Sequence, residues 1–348
     1  MIIFLTGSAG LLGGAIAQEL ADSGHGVIAL VHRETEITGN SGQLVEASSF
    51  GGELPRAGEV KVLQGNVADP GLALSPAVIT QLSKRVDCVI HCAALVKFEA
   101  DFEVLREVNV EGTRNVAQSF PDSRLVHVST AYTCGVQDGP VLEELHSGDG
   151  PFANGYEQSK ALAEIELRKL RPDAIIARPS IVVGEFATGQ IRSFDTIYRA
   201  FKFIAEGRIE QVPTAEDATL NFVPIDYVVA GVCALATQPV LQPVIAHLCA
   251  RESVSTDEFL QMIGMVPGLR SPKVTRPHPV EAKFEGLAAR VARPYLSYFV
   301  RSPQFKTDTI ERIMGSPSPQ MDEDALLRQI RFCIEAGFIR PRAVPHAE

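Results

Sequence analysis

The sequence predicts a doubly wound α/β fold: an open parallel sheet with helices on both faces. Three observations predict it. Short apolar runs recur without alternation, the segments between them carry helical periodicity, and a glycine-rich turn joins the first run to the first helix. A strand that is apolar throughout has no solvent side, so helices must cover it twice.

Taken in order, "IIFLT" reads as the first buried strand. The helix that follows has Leu12, Ile16 and Leu20 at helical spacing and stops near Gly24. "GVIALVH" is the second strand. From Glu34 to Glu59 the chain is rich in Gly and Ser without a clear period, which predicts a loop with one short helix. "VKVLQG" is the third strand, "SPAVITQLSKR" a helix with Ser75 as N-cap and Pro76 at its first position, and "DCVIHCAA" the fourth strand. A long helix over "DFEVLREVNVEGTRNVAQSF", a fifth strand "RLVHVST", a helix "YEQSKALAEIELRKL" and a sixth strand "DAIIARPS" complete the alternation. After Gly184 the rhythm weakens, Pro and Gly become frequent, and helices such as "SFDTIYRAFKFIAEG" and "DEDALLRQIRFCIEAG" dominate.

The chain has 348 residues and a formal net charge of −10, which argues against nucleic acid as a partner, since phosphate binding needs a basic footprint. The segment Arg270 to Arg312 is the exception, with basic residues in excess. Cys88 and Cys92 sit among apolar neighbours without zinc spacing and read as buried small hydrophobes; no metal site is expected. The start "MIIFLTG" has no basic leader, and no apolar run approaches membrane length. The expectation is a cytoplasmic protein with no transmembrane segment.

"TGSAGLLG" places Gly7, Gly10 and Gly13 between the first strand and the first helix. There the first glycine permits a tight turn, the second lets backbone approach a pyrophosphate, and the third allows close helix–strand packing. This predicts a Rossmann dinucleotide site. At the end of the second strand an NAD enzyme needs an acidic residue, whereas "LVHRE" offers Arg33, a guanidinium suited to a 2′-phosphate. The expected cofactor is therefore NADP(H) in preference to NAD(H). The domain division that follows is a dinucleotide-binding unit over residues 1–184, with contributions from about 220–250, and a smaller, mostly helical substrate-binding part over 185–348.

The remaining motifs are "HCAA" ending the fourth strand, "NVEGT" on a helix, "VST" ending the fifth strand, and Tyr156 four residues before Lys160. Tyrosine and lysine one helical turn apart are by themselves an ordinary surface pair. In this order the set resembles the extended short-chain dehydrogenase/reductases over about the first 230 residues. The resemblance implies that Thr130, Tyr156 and Lys160 are catalytic, with Ser129 as an adjacent second hydroxyl. The chemistry fits: a carbonyl receiving a hydride needs a proton or strong hydrogen bond at its oxygen. A free tyrosine titrates near 10 and needs a nearby cation to serve at neutral pH.

The same resemblance implies that Ala9, Leu11 and Leu12 join the glycines around the cofactor, and that Asn66 and Val67 face the adenine. Cys92, Ala93, Ala94 and Lys97 border the cofactor beyond the fourth strand, Pro179 and Ile181 meet its nicotinamide end, and Lys160 reaches its ribose. Asn66 stands where the family usually has aspartate. Asn109 is expected to hold its helix against the sheet.

The phrases "HCAALVKFEADFEVLREVNVEGTRNV", "HVSTAYTCG", "RPSIVVGEFATGQIRSFDTIYRAF" and "NFVPIDYVV" resemble, more narrowly, the fatty acyl reductases and the terminal thioester reductase domains of carboxylic acid reductases and nonribosomal peptide synthetases. They imply an NADPH-dependent reductase of an acyl thioester, carried by CoA or a carrier protein, or of its aldehyde. A dehydrogenase of free hydroxy or keto compounds uses the same trio and stays open, as does a non-catalytic NADP-binding regulator. The resemblance also implies a homodimer through Asp101 to Phe120 and Tyr156 to Leu170.

In "PVEAKFEGLAARVARPYLSYFVRSPQFKT" basic residues mix with Phe284, Leu287, Val291, Tyr295, Leu296, Tyr298 and Phe299. A core-facing helix, a docking surface for an acidic carrier or CoA phosphates, and interfacial membrane association all fit that pattern. Phe152, Phe186, Phe194 and Tyr198 are candidates for an acyl pocket.

Overall fold

Eight strands form one sheet, all parallel, in a computed structural model that describes residues 1–195, 197–239, 243–276 and 293–342. The strands are β1 (Ile2–Thr6), β2 (Gly26–Val31), β3 (Ala47–Ser49), β4 (Val60–Gln64), β5 (Cys88–His91), β6 (Arg124–Val128), β8 (Ile175–Pro179) and β13 (Val244–Leu248). Their spatial order is β13-β8-β6-β5-β1-β2-β4-β3. Every residue of β2, β5 and β8 is buried, as unalternated apolar runs require. The chain winds outward from β1 through β2 and β4, then returns to β5. The carboxyl ends of β1 and β5 therefore flank the topological switch point, where α/β folds gather ligands.

Helix α1 (Leu11–Asp22) and helix α7 (Ile225–Thr237) cover one face of the sheet. On the other face lie α2 (Pro76–Ser83), α4 (Gly112–Ser119) and α5 (Gly155–Leu170). Local chemistry sets their starts. Ser75 Oγ accepts from Val78 N with Pro76 in the first turn of α2, and Asn154 Oδ1 accepts from Glu157 N at 2.9 Å to begin α5.

Two expectations fail locally. The segment 34–59 contains no helix; it supplies the edge strand β3 and a bridge between Thr38 and Leu44. Ala47–Ser49 is fully exposed and has no apolar stripe to bury, so it pairs with β4 through backbone alone. The long helix from Asp101 is divided into α3 (Phe102–Arg106) and α4 by a π turn, Glu107–Glu111, which turns Asn109 inward. Such turns insert one residue into a helix and redirect side chains.

Four short pairs complete the chain. β7 (Gly139–Val141) pairs with Pro303–Phe305, and β9 (Ile181–Val183) with β12 (Phe222–Pro224). β10 (Gln211–Pro213) pairs with Lys273–Thr275, and β11 (Thr219–Leu220) with Val254–Ser255. With α6 (Ile197–Ala205), α8 (Thr256–Met265) and helix Glu323–Glu335 they enclose a separate apolar core that includes Tyr198, Phe201, Phe259 and Leu326. An apolar cavity of about 30 Å³ lies between Tyr198, Phe201, Phe222 and Phe259. Phe194 stacks on Phe338, whereas Phe186 is exposed. In the basic segment, Tyr298 and Phe299 are buried and Tyr295 and Leu296 pack against the same core; Phe284, Leu287 and Val291 lie outside the described residues. Among the described residues no helix is long and apolar enough to cross a membrane.

Candidate active site

The glycine turn closes the carboxyl end of β1. Gly7 has φ +74°, and a Cβ there would sit 2.6 Å from Ala93 N, so only glycine lets the turn meet the chain leaving β5. A Cβ on Gly13 would stand 2.1 Å from Gly7 O, which fixes how closely α1 packs on the turn. Gly10 is exposed and caps α1 with no side chain, leaving the first helical N–H groups to a ligand. Ala9, Leu11 and Leu12 are partly exposed around it. Bare amides at a helix start, beside backbone that tolerates no Cβ, fit the diphosphate of a dinucleotide.

Loops from three other places frame this turn. Arg33 is exposed just beyond β2. Asn66, following β4, uses its side chain internally, donating to Asp69 at 2.8 Å and accepting from Ala68 N. Asn115 on α4 donates to Val67 O and Ala68 O, holding that loop from below. Arg192, far along the chain, donates through Nη2 to Ala9 O at 3.5 Å, while its Nε is buried with no partner among the described residues. Asn40 accepts from Arg192 N and donates to Glu185 and Gln190 O, pinning the segment after β9 to the loop after β2.

Beyond β5, Ala93 N donates to Thr6 Oγ1, and Asn109 clamps Leu95 by accepting from its N at 2.8 Å and donating to its O at 3.2 Å. Asn109 Nδ2 also donates to Ser159 Oγ, and Ser159 to Tyr156 O. The π turn thus ties the loop carrying Cys92, Ala93 and Ala94 to the first turn of α5. Lys97 is exposed on that loop. Burial pushes the Cys92 and Cys88 thiols up to about 12, so both are neutral, unreactive thiols.

On α5, Lys160 is almost wholly buried (1 %) and donates to Val128 O at 2.8 Å and to His127 Nε2 at 3.2 Å. Burial lowers its pKa to about 8. One turn earlier, Tyr156 is partly exposed against Phe98, with ring centroids 5.7 Å apart. Its phenol titrates above the usual tyrosine range: burial dominates, with Cys92 and Glu157 adding to it. The lowering expected from Lys160 is not found in the chain alone, where burial governs the phenol. Thr130 Oγ1 accepts from Tyr132 N at 3.3 Å and donates to Pro179 O at 3.5 Å. Ser129 Oγ is buried with no partner among the described residues. Ile181 begins β9 beside Pro179.

Beside Tyr156, Glu157 forms a buried ion pair with Arg301, side chains 0 % and 1 % exposed, at 2.6 Å. The Arg301 guanidinium lies between the rings of Tyr132 and Tyr298, 4.6 and 4.5 Å from their centroids. Arg301 belongs to the basic segment, yet it faces the core and is no docking charge. The structure thus gathers the glycine turn, the loop after β5, Thr130, Tyr156, Lys160 and Pro179 at the carboxyl edge of the sheet, with Arg33 and Asn66 at the far side of the turn. Asn115, His127 and Arg192 lie inside phrases that carry the resemblance but were not singled out as residues by the sequence.

Residues 5–232 match the family model described as male sterility protein. L-2-aminoadipate reductase of Schizosaccharomyces pombe is 28% identical over 284 residues, covering 74% of this chain and 20% of its own length. The chain therefore spans about a fifth of that relative. Among solved structures, the terminal R domain from the myxalamid PKS-NRPS biosynthetic pathway gives a TM-score of 0.78 at 22% identity, over 98% of this chain and 92% of that one. MoeE5 in complex with UDP-glucuronic acid and NAD gives 0.68 at 19% identity, over 97% and 100%. At these identities the structural likeness speaks for the fold.

Proposed function

We propose, from the premise that the chain belongs to the male sterility protein family and is an extended short-chain dehydrogenase/reductase of the thioester reductase-like kind, that it reduces acyl thioesters with NADPH. The observation that carries the reading is the joining of two features at one sheet edge: an uncapped glycine turn fit for a dinucleotide, and Tyr156 and Lys160 one helical turn apart beside Thr130. Residues 1–184, with α7 and β13, would hold the cofactor, and the apolar core after Gly184 would face the acyl group.

The dinucleotide would lie on the amides of Gly10 to Gly13, with Arg192 near its diphosphate, Arg33 at its 2′-phosphate and Asn66 and Val67 at its adenine. Ala9, Leu11, Leu12, Cys92, Ala93, Ala94 and Lys97 would border it, and Pro179 and Ile181 would meet its amide end. Bound NADPH supplies the hydride. The chain's residues do the rest. Thr130 and Tyr156 hold the carbonyl oxygen as it gains negative charge, and Tyr156 gives it a proton. Lys160 offsets the phenolate left behind and can donate to the ribose. The hemithioacetal formed from the thioester collapses to a thiol and an aldehyde, and a second cycle would give the alcohol. Ser129 is the second hydroxyl of this set. A homodimer through α3, α4 and α5 is part of the same proposal.

The test is incubation of the purified protein with NADPH and a panel of acyl-CoA and acyl-carrier thioesters. NADPH loss with a thioester, accompanied by free thiol, is expected. Turnover of free ketones with no loss on any thioester would overturn the substrate class.

A further inference from the structure

Beneath Lys160 lies a histidine that none of these steps uses. We propose that His127 is a positioning residue for Lys160, accepting a hydrogen bond through Nε2 so that the ammonium stays charged and aimed at the cofactor; this rests on the reading of Lys160 as catalytic. His127 is fully buried on β6, in register with His91 on β5, and the two rings lie 5.2 Å apart. His91 is fixed independently by Thr6 at 2.8 Å and Thr113 at 3.1 Å. The side chain of His127 makes a single hydrogen bond among the described residues, 3.2 Å to Lys160 Nζ, and its Nδ1 is buried without a partner. Among the described residues its side chain therefore serves the lysine and no wider hydrogen-bond network.

A lysine ammonium has three donors. Val128 O and His127 Nε2 take two of them. The third is left for the cofactor ribose that the proposed reading assigns to Lys160. The titratable and charged groups facing Lys160 are His127 from β6, His91 and Cys92 from β5 and its following loop, and Tyr156 and Glu164 from α5 itself. Glu164 is bound by Arg178 at 3.0 Å through Nε, and Cys92 is a neutral thiol. Burial, Lys160 and His91 all hold His127 uncharged, so it can accept only as the Nδ1–H tautomer.

An acceptor favours the charged form of the lysine, so removing it lowers the pH at which Lys160 deprotonates. The experiment compares kcat/KM for NADPH-dependent reduction against pH in the wild type, His127→Leu, His127→Gln and Lys160→Met. In His127→Leu the alkaline limb should move to lower pH by about one unit, the scale of one lost hydrogen bond to a charge. His127→Gln, which keeps an acceptor, should restore it. A limb unmoved in an active His127→Leu overturns the proposal while leaving the trio intact. Full turnover by Lys160→Met overturns the trio and the proposal with it. Should His127→Leu not fold, ¹⁵N NMR of histidine-labelled wild type decides: a proton on Nδ1 of His127 is expected, and one on Nε2 overturns it.

Discussion

Lys160 sets the charge balance of the site, because it is a buried cation whose hydrogen-bond partners among the described residues, His127 Nε2 and Val128 O, are neutral acceptors. Its pKa in the folded chain is about 8, against 10.5 when exposed. Between those values the unfolded chain binds more protons than the folded one, so stability rises with pH through that window. Wild type should therefore gain stability relative to Lys160→Met as pH goes from 8 to 10.5, by an amount on the order of a few kcal/mol, measured by denaturant melts. At the hydroxyls, Tyr156→Phe should lower kcat by about 10²–10⁴ with cofactor affinity kept, as the loss of one acid group predicts. Thr130→Val should lower kcat more than Ser129→Ala if Thr130 holds the oxyanion. Tyr156 and Lys160 were singled out in the sequence by the order of the motifs around them, since helix spacing alone makes only an ordinary surface pair. His127 and Arg192 were not, since their partners lie 33 and 183 residues away and no local pattern records the contact.

The first turns of helix α5 are held by the Asn154 cap, the Ser159–Asn109 link and the Glu157–Arg301 pair. Arg301→Met should leave the Glu157 carboxylate buried and unpaired and destabilise the protein by about 3–5 kcal/mol. The double variant Glu157→Leu with Arg301→Met should lose less, which a double-mutant cycle reads directly. The cap at Ser75 was read correctly, accepting from Val78 N–H as its sequence suggests, whereas the cap that Asp322 makes to Ala325 N was not singled out. The π turn at Glu107–Glu111 was invisible because it contains neither Gly nor Pro to mark a break in the helix; within it Asn109 reaches Leu95 and Ser159 in space. The edge strand β3 carries no hydrophobic period at all, so only the exposed backbone of β4 defines it.

Across the whole molecule, the cofactor region draws on distant segments: the glycine turn, Asn40, and the segment from Gly184 to Arg192, which Gln329 and Arg328 fasten to helix Glu323–Glu335. Binding at the turn should therefore reach the C-terminal core. Saturating NADPH should raise the melting temperature, and Arg192→Met should weaken NADPH and NADH alike, whereas Arg33→Ala should weaken NADPH selectively. Calorimetric titration of the two cofactors checks both. The parallel sheet was legible from its apolar runs, but the enclosure of the C-terminal core was not, because α6, α8 and Phe222 meet only in three dimensions. The most direct measurement of the account is transfer of deuterium from NADPH labelled at C4 of the nicotinamide, with an acyl thioester as acceptor. The account predicts deuterium on the former carbonyl carbon of the aldehyde or alcohol, with one thiol released per acyl group and the label lost in Tyr156→Phe. Thiol release without deuterium in the product would contradict it.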